Sequence, residues 1–224
     1  MEASDMGVLL MLMTIGGLMA AAVLFVITLY TGKAWLAKFV FGGVAVWFVF
    51  YFVMLLGVSL FSNEKTLAMN EPKAFCGFYF DCHMHAAVKD VRTAKTIGNK
   101  TAKGEFHIVT VEIFSDAVRA TLGLITVDTH IVDASKREYN RDIEAEAELP
   151  PPPDFEKQIG PEERFEKEIV FDLPVDVKGP RFDIREGHGI DRAIEAVLIG
   201  DEDSIFHARN YFQLLEQNDL AGVK

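Results

Sequence analysis

Cysteine and histidine side chains that could bind a metal or form a disulfide lie together in one short stretch. Cys76 and Cys82 are separated by five residues, and His83 and His85 follow directly. Thiolates and imidazoles suit copper and zinc, and on a β-strand the two histidines would project from the same face. Two neighbouring thiols in an oxidising compartment tend instead to pair. We predict a Cys76–Cys82 disulfide, with a copper or zinc site or free buried thiols as the alternatives.

The other candidate groups give weaker signals. Three carboxylates in residues 200–204 (GDEDS) could bind Ca²⁺, but the spacing of an EF-hand loop is absent and a solvated turn is expected. His107, His130 and His207 lie on predicted strands with no serine or cysteine placed beside them. No phosphate-binding glycine loop, dinucleotide fingerprint or nucleophile elbow occurs. We therefore predict a protein that is not an enzyme and has no cofactor, copper being the alternative.

Two long apolar segments precede these residues. Residues 6–30 and 39–61 carry no charge and are joined by residues 31–38. Crossing a hydrocarbon core of about 30 Å takes about 20 apolar residues, and at this length only a helix satisfies its own backbone. A cleavable signal peptide is disfavoured, because the chain begins with Glu2 and Asp5 and not with a basic segment. We predict that residues 1–61 form a transmembrane helical hairpin in the lipid bilayer.

The orientation of this hairpin follows from its lysines. Lys33 and Lys38 lie in the short connection, and positively charged loops stay in the cytoplasm. Lys65 and Lys73, beyond the second helix, weaken this signal slightly. We predict a bacterial inner-membrane protein with its carboxy-terminal domain in the periplasm.

Small residues occur at helical spacing in both apolar segments and favour close packing of helices in lipid. The partner would be the other helix of the hairpin or a neighbouring membrane subunit. A charge near the centre of either helix is lacking, which disfavours ion or proton transport. The residues predicted to pack in the membrane are Gly16, Gly17, Ala20, Gly42, Gly43 and Trp47.

The negative charge of the chain is confined to the part after the hairpin. The net charge is −11, and the charges of residues 1–61 cancel. An acidic domain repels nucleic acid, so we predict no nucleic-acid partner.

Short strands separated by turns follow the hairpin. The predicted organisation is a tether (62–73), a β-sandwich (74–214) with a proline-rich loop at 149–160, and a tail (215–224). Alternating or β-branched patterns predict the strands, and glycine-rich or charged stretches such as 96–104 predict the turns. The predicted strands are 83–92, 105–114, 124–132, 166–173, 181–185, 190–199 and 205–214; the pattern of 190–199 also fits a helix. The fold class is therefore membrane-anchored all-β, with an antiparallel immunoglobulin-like sandwich.

This part of the chain resembles the telokin-like, immunoglobulin-like domains of bacterial exported proteins. The residues that carry the resemblance are Cys82-His83, Lys103-Gly104-Glu105-Phe106 leading into Val109, Val111 and Ile113, Asp133-Ala134 with Tyr139, and Phe171-Asp172-Leu173-Pro174. The resemblance implies a non-catalytic binding or scaffold module.

The layout is also similar to subunit II of the haem-copper oxidases, in which two helices precede an extracytoplasmic β-sandwich. That family holds copper with cysteines, histidines and a methionine, and Cys76, Cys82, His83, Met84 and His85 are residues of these types. The cluster lies at the start of the domain, whereas the family's motif is near its end, and the cysteine spacing is longer. The copper centre is therefore kept as an alternative.

Together these features predict an accessory subunit that packs beside a larger integral membrane complex, respiratory or photosynthetic, and stabilises it on the periplasmic side. The proline run and the acidic residues 144–148 would supply a docking surface. The alternatives are a copper-binding electron-transfer or metal-delivery protein, and a free-standing sensor or adhesion module.

Overall fold

The computed structural model describes residues 3–77, 81–187 and 189–214. Its elements in chain order are α1 (Ala3–Thr31), α2 (Ala34–Leu60), β1 (Lys65–Leu67), β2 (Lys73–Gly77), β3 (Asp81–Ile97), β4 (Lys100–Ser115), β5 (Asp128–Val132), β6 (Glu138–Asn140), α3 (Ile143–Glu146), β7 (Arg164–Leu173), β8 (Arg181–Arg185), α4 (Ile190–Glu195) and β9 (Asn210–Gln213). The chain divides into two compact units.

The first unit contains the two amino-terminal helices together with residues 189–209, which we call the return segment. Both helices are long and apolar enough to cross a membrane. Gly32, with a φ of 66°, and Lys33 make the connection, so Lys38 lies inside α2 and not in a loop as predicted. The positive charges nevertheless stay at the connecting end of the helices.

The second unit is a β-sandwich-like domain of two sheets. One sheet has the order β1-β9-β8-β5-β6 and the other β2-β3-β4-β7. Neighbouring strands are antiparallel except for β1 and β9, which pair in parallel. Apolar residues of both sheets form one core, in which the rings of Phe171 on β7 and Phe182 on β8 lie 6.1 Å apart. The predicted antiparallel sandwich after two apolar helices is therefore confirmed at this level.

A smaller apolar cluster lies at the turn end of the β3–β4 hairpin. Ile97, Phe106 and Ile108 pack there with Val170 of β7 and with Ala145 of α3. The helix begins at Asp142, whose carboxylate accepts a hydrogen bond from the Ala145 amide. This short helix, which the charged sequence did not suggest, covers one end of the four-stranded sheet.

Several predicted boundaries change in the structure. Strand β8 matches its prediction, and β4 and β7 extend theirs by a few residues. The turn predicted over 96–104 contracts to Gly98 and Asn99, because Ile97 already pairs with Lys100. The strand predicted over 124–132 begins only at Asp128, and within the predicted tether 62–73 a short strand, β1, joins the sheet.

The prediction of a strand over 190–199 is wrong. These residues start with helix α4, because alanine and glutamate favour a helix. No place is open for them beside β8, whose two edges are paired with β5 and β9. The strand predicted over 205–214 shrinks to β9, because residues 205–209 belong to the return segment. The predicted tail 215–224 lies outside the described residues.

Candidate functional site

The structure joins Cys76 and Cys82 in a disulfide, as predicted. Both sulfur atoms are therefore engaged and cannot act as thiolate ligands. Strand β3 carries Cys82 and its following histidines, and pairs with β2, which carries Cys76. The covalent bond thus links two neighbouring strands of the four-stranded sheet.

His83 and His85 meet a residue that the sequence did not point to, Asp116. The Nδ1 atom of His83 lies 2.6 Å from Asp116 Oδ1, and the Nε2 atom of His85 lies 3.2 Å from Oδ2. The pairing of β3 with β4 brings them together, since Asp116 follows the last residue of β4 and its amide donates to the His83 carbonyl. The two histidines therefore share one carboxylate, as their common strand face allowed.

Both imidazoles lower the pKa of the Asp116 carboxyl group. The hydrogen bond from His83 lowers the pKa of Asp116, and His85 acts in the same direction against the opposing effect of desolvation. His85 is mostly buried and its ring stacks on Phe114 at 5.0 Å, whereas His83 and Asp116 are half exposed. The result is a surface His–Asp–His group beside the disulfide.

The copper alternative gains no support from this group. Across the described ranges, no three histidine, cysteine, aspartate or glutamate side chains converge as metal ligands. The disulfide also removes the two soft sulfur ligands on which the copper alternative depended. What the arrangement does is hold the end of β4 against β3.

A second polar cluster lies inside the β-domain. Asp183 on β8 is fully buried; its carboxylate lies 2.8 Å from Arg185 Nε, 3.3 Å from His130 Nε2 and 3.8 Å from Lys73 Nζ. Lys73 also donates to the carbonyl of Ile184 at 2.9 Å. Burial lowers the pKa of His130, Arg185 acts in the same direction, and the charge of Asp183 opposes both. Because these four side chains are less than a tenth exposed, we interpret the cluster as structural.

The remaining candidate histidines and the acidic turn have local partners. His107 lies on β4, and His207 Nδ1 lies 2.8 Å from the Ala208 carbonyl. In the acidic turn, Asp201 accepts from the Asp203 amide and Asp203 lies 3.4 Å from Arg209. The calcium interpretation gains no support from these contacts.

The acidic residues 144–148, which were predicted to form a docking surface, make contacts within the domain. Glu144 pairs with Lys100, Glu146 binds Arg141 through both carboxylate oxygens, and Glu148 accepts from the Asn99 amide. These carboxylates hold the α3 region to the rest of the domain. Whether the segment is also a docking surface stays a prediction.

The proline-rich loop is anchored in a similar way. Lys167 donates to the Pro153 carbonyl, and Phe155 is buried in the main core beneath the cations of Arg141 and Lys167. Ile159 forms a bridge with Leu122. The loop is thus a brace across the domain.

An open groove of about 380 Å³ lies between α1 and α2. Gly17, Ala20, Gly43 and Trp47, four of the residues predicted to pack in the membrane, are among those that line it. A Cβ built on either of these glycines meets nothing within 4 Å, so the small residues do not bring the two helices of the hairpin into contact there. The predicted residues Gly16 and Gly42 also face open space, outside the groove.

The polar groups of the groove satisfy each other. The Trp47 indole N–H donates to Thr14 Oγ1 at 2.9 Å, and the Thr14 hydroxyl donates to the Leu10 carbonyl at 2.8 Å. The rest of the lining is apolar, so an occupant of the groove needs no hydrogen-bonding groups. Sequence reasoning could not find this feature, because it depends on how the two helices lie side by side.

No known protein family and no curated protein matches the chain. Two solved structures are similar to it. One is MPT63, a secreted protein from Mycobacterium tuberculosis, at a TM-score of 0.41 and 11% identity over 67% of this chain and 98% of that one. The other is the yjhA protein from Bacillus subtilis, at a TM-score of 0.43 and 13% identity over 67% of this chain and all of that one. Neither similarity assigns the chain to a family.

Proposed function

We propose that the protein is a non-catalytic accessory subunit, anchored in the bacterial inner membrane by α1 and α2, that packs beside a larger integral membrane complex. The observation that carries this proposal is the groove between the helices, which the side chains of the hairpin leave open. Association of helices in lipid depends on close contact at small residues, and the glycines of the groove offer such a surface.

The anchoring itself rests on the length and chemistry of the two helices. They contain 29 and 27 residues, and a helix of about 20 residues already crosses the hydrocarbon core. Their long apolar side chains are largely exposed to the surroundings. The lysines at the connecting end favour a cytoplasmic turn, and with this orientation the β-domain would lie in the periplasm. A disulfide at Cys76–Cys82 suits that oxidising compartment.

The occupant that we propose for the groove is a transmembrane helix of the host complex. An apolar lining with glycine on both walls admits the side chains of another helix. The indole N–H of Trp47 already donates to Thr14, so the incoming helix need not supply a hydrogen-bonding group. A respiratory or photosynthetic complex is the host class suggested by the layout shared with oxidase subunit II, which is an argument by analogy. The β-domain would then stabilise the complex on the periplasmic side.

The proposal is tested by extraction of the membrane in mild detergent, followed by native electrophoresis. Gly17→Leu and Gly43→Leu fill the groove, and Gly16→Leu and Gly42→Leu add the same side chain outside it. We expect the wild type and the two control variants to migrate in a large complex, and the groove variants to migrate alone. A wild type that migrates alone would contradict the proposal and favour a free-standing sensor or adhesion module. Groove variants recovered in the complex at full yield would contradict the role of the groove.

A further inference from the structure

The return segment is held against the two long helices at three points. The carbonyl of Ile199 lies so close to Gly7 on α1 that a Cβ there would overlap it. The hydroxyl of Tyr51 on α2 donates to the Val197 carbonyl at 2.8 Å, and the hydroxyl groups of Ser59 and Ser204 are 3.1 Å apart. The segment therefore follows the side of the hairpin near the carboxyl end of α2.

The Tyr51 contact fixes how far the segment extends along α2. Tyr51 lies nine residues before Leu60, the last residue of the helix, which corresponds to about 14 Å at 1.5 Å per residue. Even with the tyrosine side chain and its 2.8 Å hydrogen bond directed fully towards that end, the Val197 carbonyl stays short of the last residue of the helix. Segments that lie in a membrane interface are buried by about 5–10 Å. A segment that contacts Tyr51 lies beside the last turns of α2, where such an interface would be.

The side chains of the segment divide into two sets. Leu198, Ile199 and Ser204 are buried. Ile190 and Phe206, in contrast, are 77% and 72% exposed, and Val197 and Ile205 are also exposed. Apolar side chains of this size are unfavourable in water and favourable among acyl chains.

Backbone hydrogen bonds within the segment suit a lipid environment, where unsatisfied polar groups are costly. The amides of Val197, Leu198 and Ile205 donate to carbonyls within the segment, and the Val197 carbonyl accepts from Tyr51. Residues 189–209 also carry five acidic side chains and two arginines. This excess of negative charge favours zwitterionic over anionic head groups.

We propose that the return segment is an interfacial membrane element, whose exposed apolar side chains insert into the leaflet on the side of the β-domain while its charges remain among zwitterionic head groups. This inference rests on the proposed anchoring of α1 and α2 in the membrane. The segment packs on two helices whose own apolar side chains are largely exposed, so the same leaflet would contact both. The chain then meets the membrane through two helices and this third element.

The test uses the full-length protein, with its disulfide intact, in phosphatidylcholine vesicles. A nitroxide is attached to one added cysteine, Ile190→Cys or Phe206→Cys, and its collision rates with oxygen and with a water-soluble nickel complex are measured. Val46→Cys, 71% exposed on α2, is the lipid reference, and Val175→Cys, 82% exposed in the β-domain, is the aqueous reference. We expect oxygen-to-nickel ratios at residues 190 and 206 severalfold above that at 175 and close to that at 46.

Three results would overturn the inference. Ratios at 190 and 206 equal to that at 175, with residue 46 in lipid, would place the segment in water and leave the anchoring intact. Labels protected from both reagents would show that protein covers this face. A residue 46 in water would refute the proposed anchoring itself, and with it the inference.

A second variant tests whether the hairpin sets the depth. Gly7→Leu places a side chain where the Ile199 carbonyl lies, whereas Gly16→Leu adds the same side chain in open space. We expect the label at residue 206 to move towards the aqueous ratio with Gly7→Leu and to stay unchanged with Gly16→Leu. An unchanged ratio in both variants would refute the packing on α1 as the cause of the depth.

Discussion

Replacing Asp183 by asparagine should destabilise the β-domain strongly. The carboxylate is fully buried and lies within 3.8 Å of Lys73, His130 and Arg185, so the substitution removes the negative charge that these groups surround. The asparagine has nearly the same shape, and therefore little of the effect would come from packing. Removing one partner of a buried ion pair costs about 3–5 kcal/mol, because the other partner remains desolvated.

The measurement is urea unfolding of the full-length protein in detergent, followed by the circular dichroism of the β-sheets. At a urea dependence of about 2 kcal/mol per molar, the expected loss lowers the midpoint by about 1.5–2.5 M. Glu144→Gln is the matched control, since it removes a carboxylate whose pairing with Lys100 is largely exposed to solvent. Exposed pairs contribute less than about 1 kcal/mol. Equal midpoints for the two variants would refute the interpretation of the buried cluster.

Three further predictions concern the same domain. The native protein should take up no alkylating reagent before reduction, and the uptake of two groups in mass spectrometry would contradict the disulfide. Replacing Cys76 and Cys82 by alanine should lower the free energy of unfolding by about 2–3 kcal/mol, as expected for a loop of this length. Gly104→Ala should cost about 1–3 kcal/mol in urea unfolding, because its Cβ would overlap the Leu173 carbonyl on β7, whereas Gly160→Ala, with contacts at 3.4 Å and beyond, should not. Because the pKa of His130 is lower in the folded than in the unfolded chain, the unfolded chain binds more protons below about pH 6.5, so stability should fall as the pH is lowered through that value. His130→Gln should remove this part of the pH dependence, and an unchanged slope would contradict the assignment.

The parts of the fold with a strong local pattern could be predicted from the sequence. The uncharged apolar segments predicted both long helices, and alternating or β-branched patterns predicted β4, β7 and β8. The cysteine spacing predicted the disulfide. In each case the residues near one another in sequence determine the element.

The rest depends on contacts between distant residues. Strand β1 has only three residues and gives no signal until it pairs with β9. Asp116 reaches the histidines through the register of β3 and β4. The pattern of residues 181–185 predicted a strand but gave no sign that Asp183 and Arg185 are buried. The 190–199 pattern suited two structures, and the paired edges of β8 decided between them.

The parallel pairing of β1 with β9 has a consequence for the biogenesis of the protein. Lys65 follows the second long helix closely, yet its partner, Asn210, is near the end of the chain. During synthesis β1 is made early but cannot pair until nearly the whole domain, including β9, has been synthesised. Contacts so distant in sequence also form slowly. A chain released before β9 would keep β1 and one edge of β8 unpaired. The five-stranded sheet can therefore be completed only after the last strand of the domain has been translated.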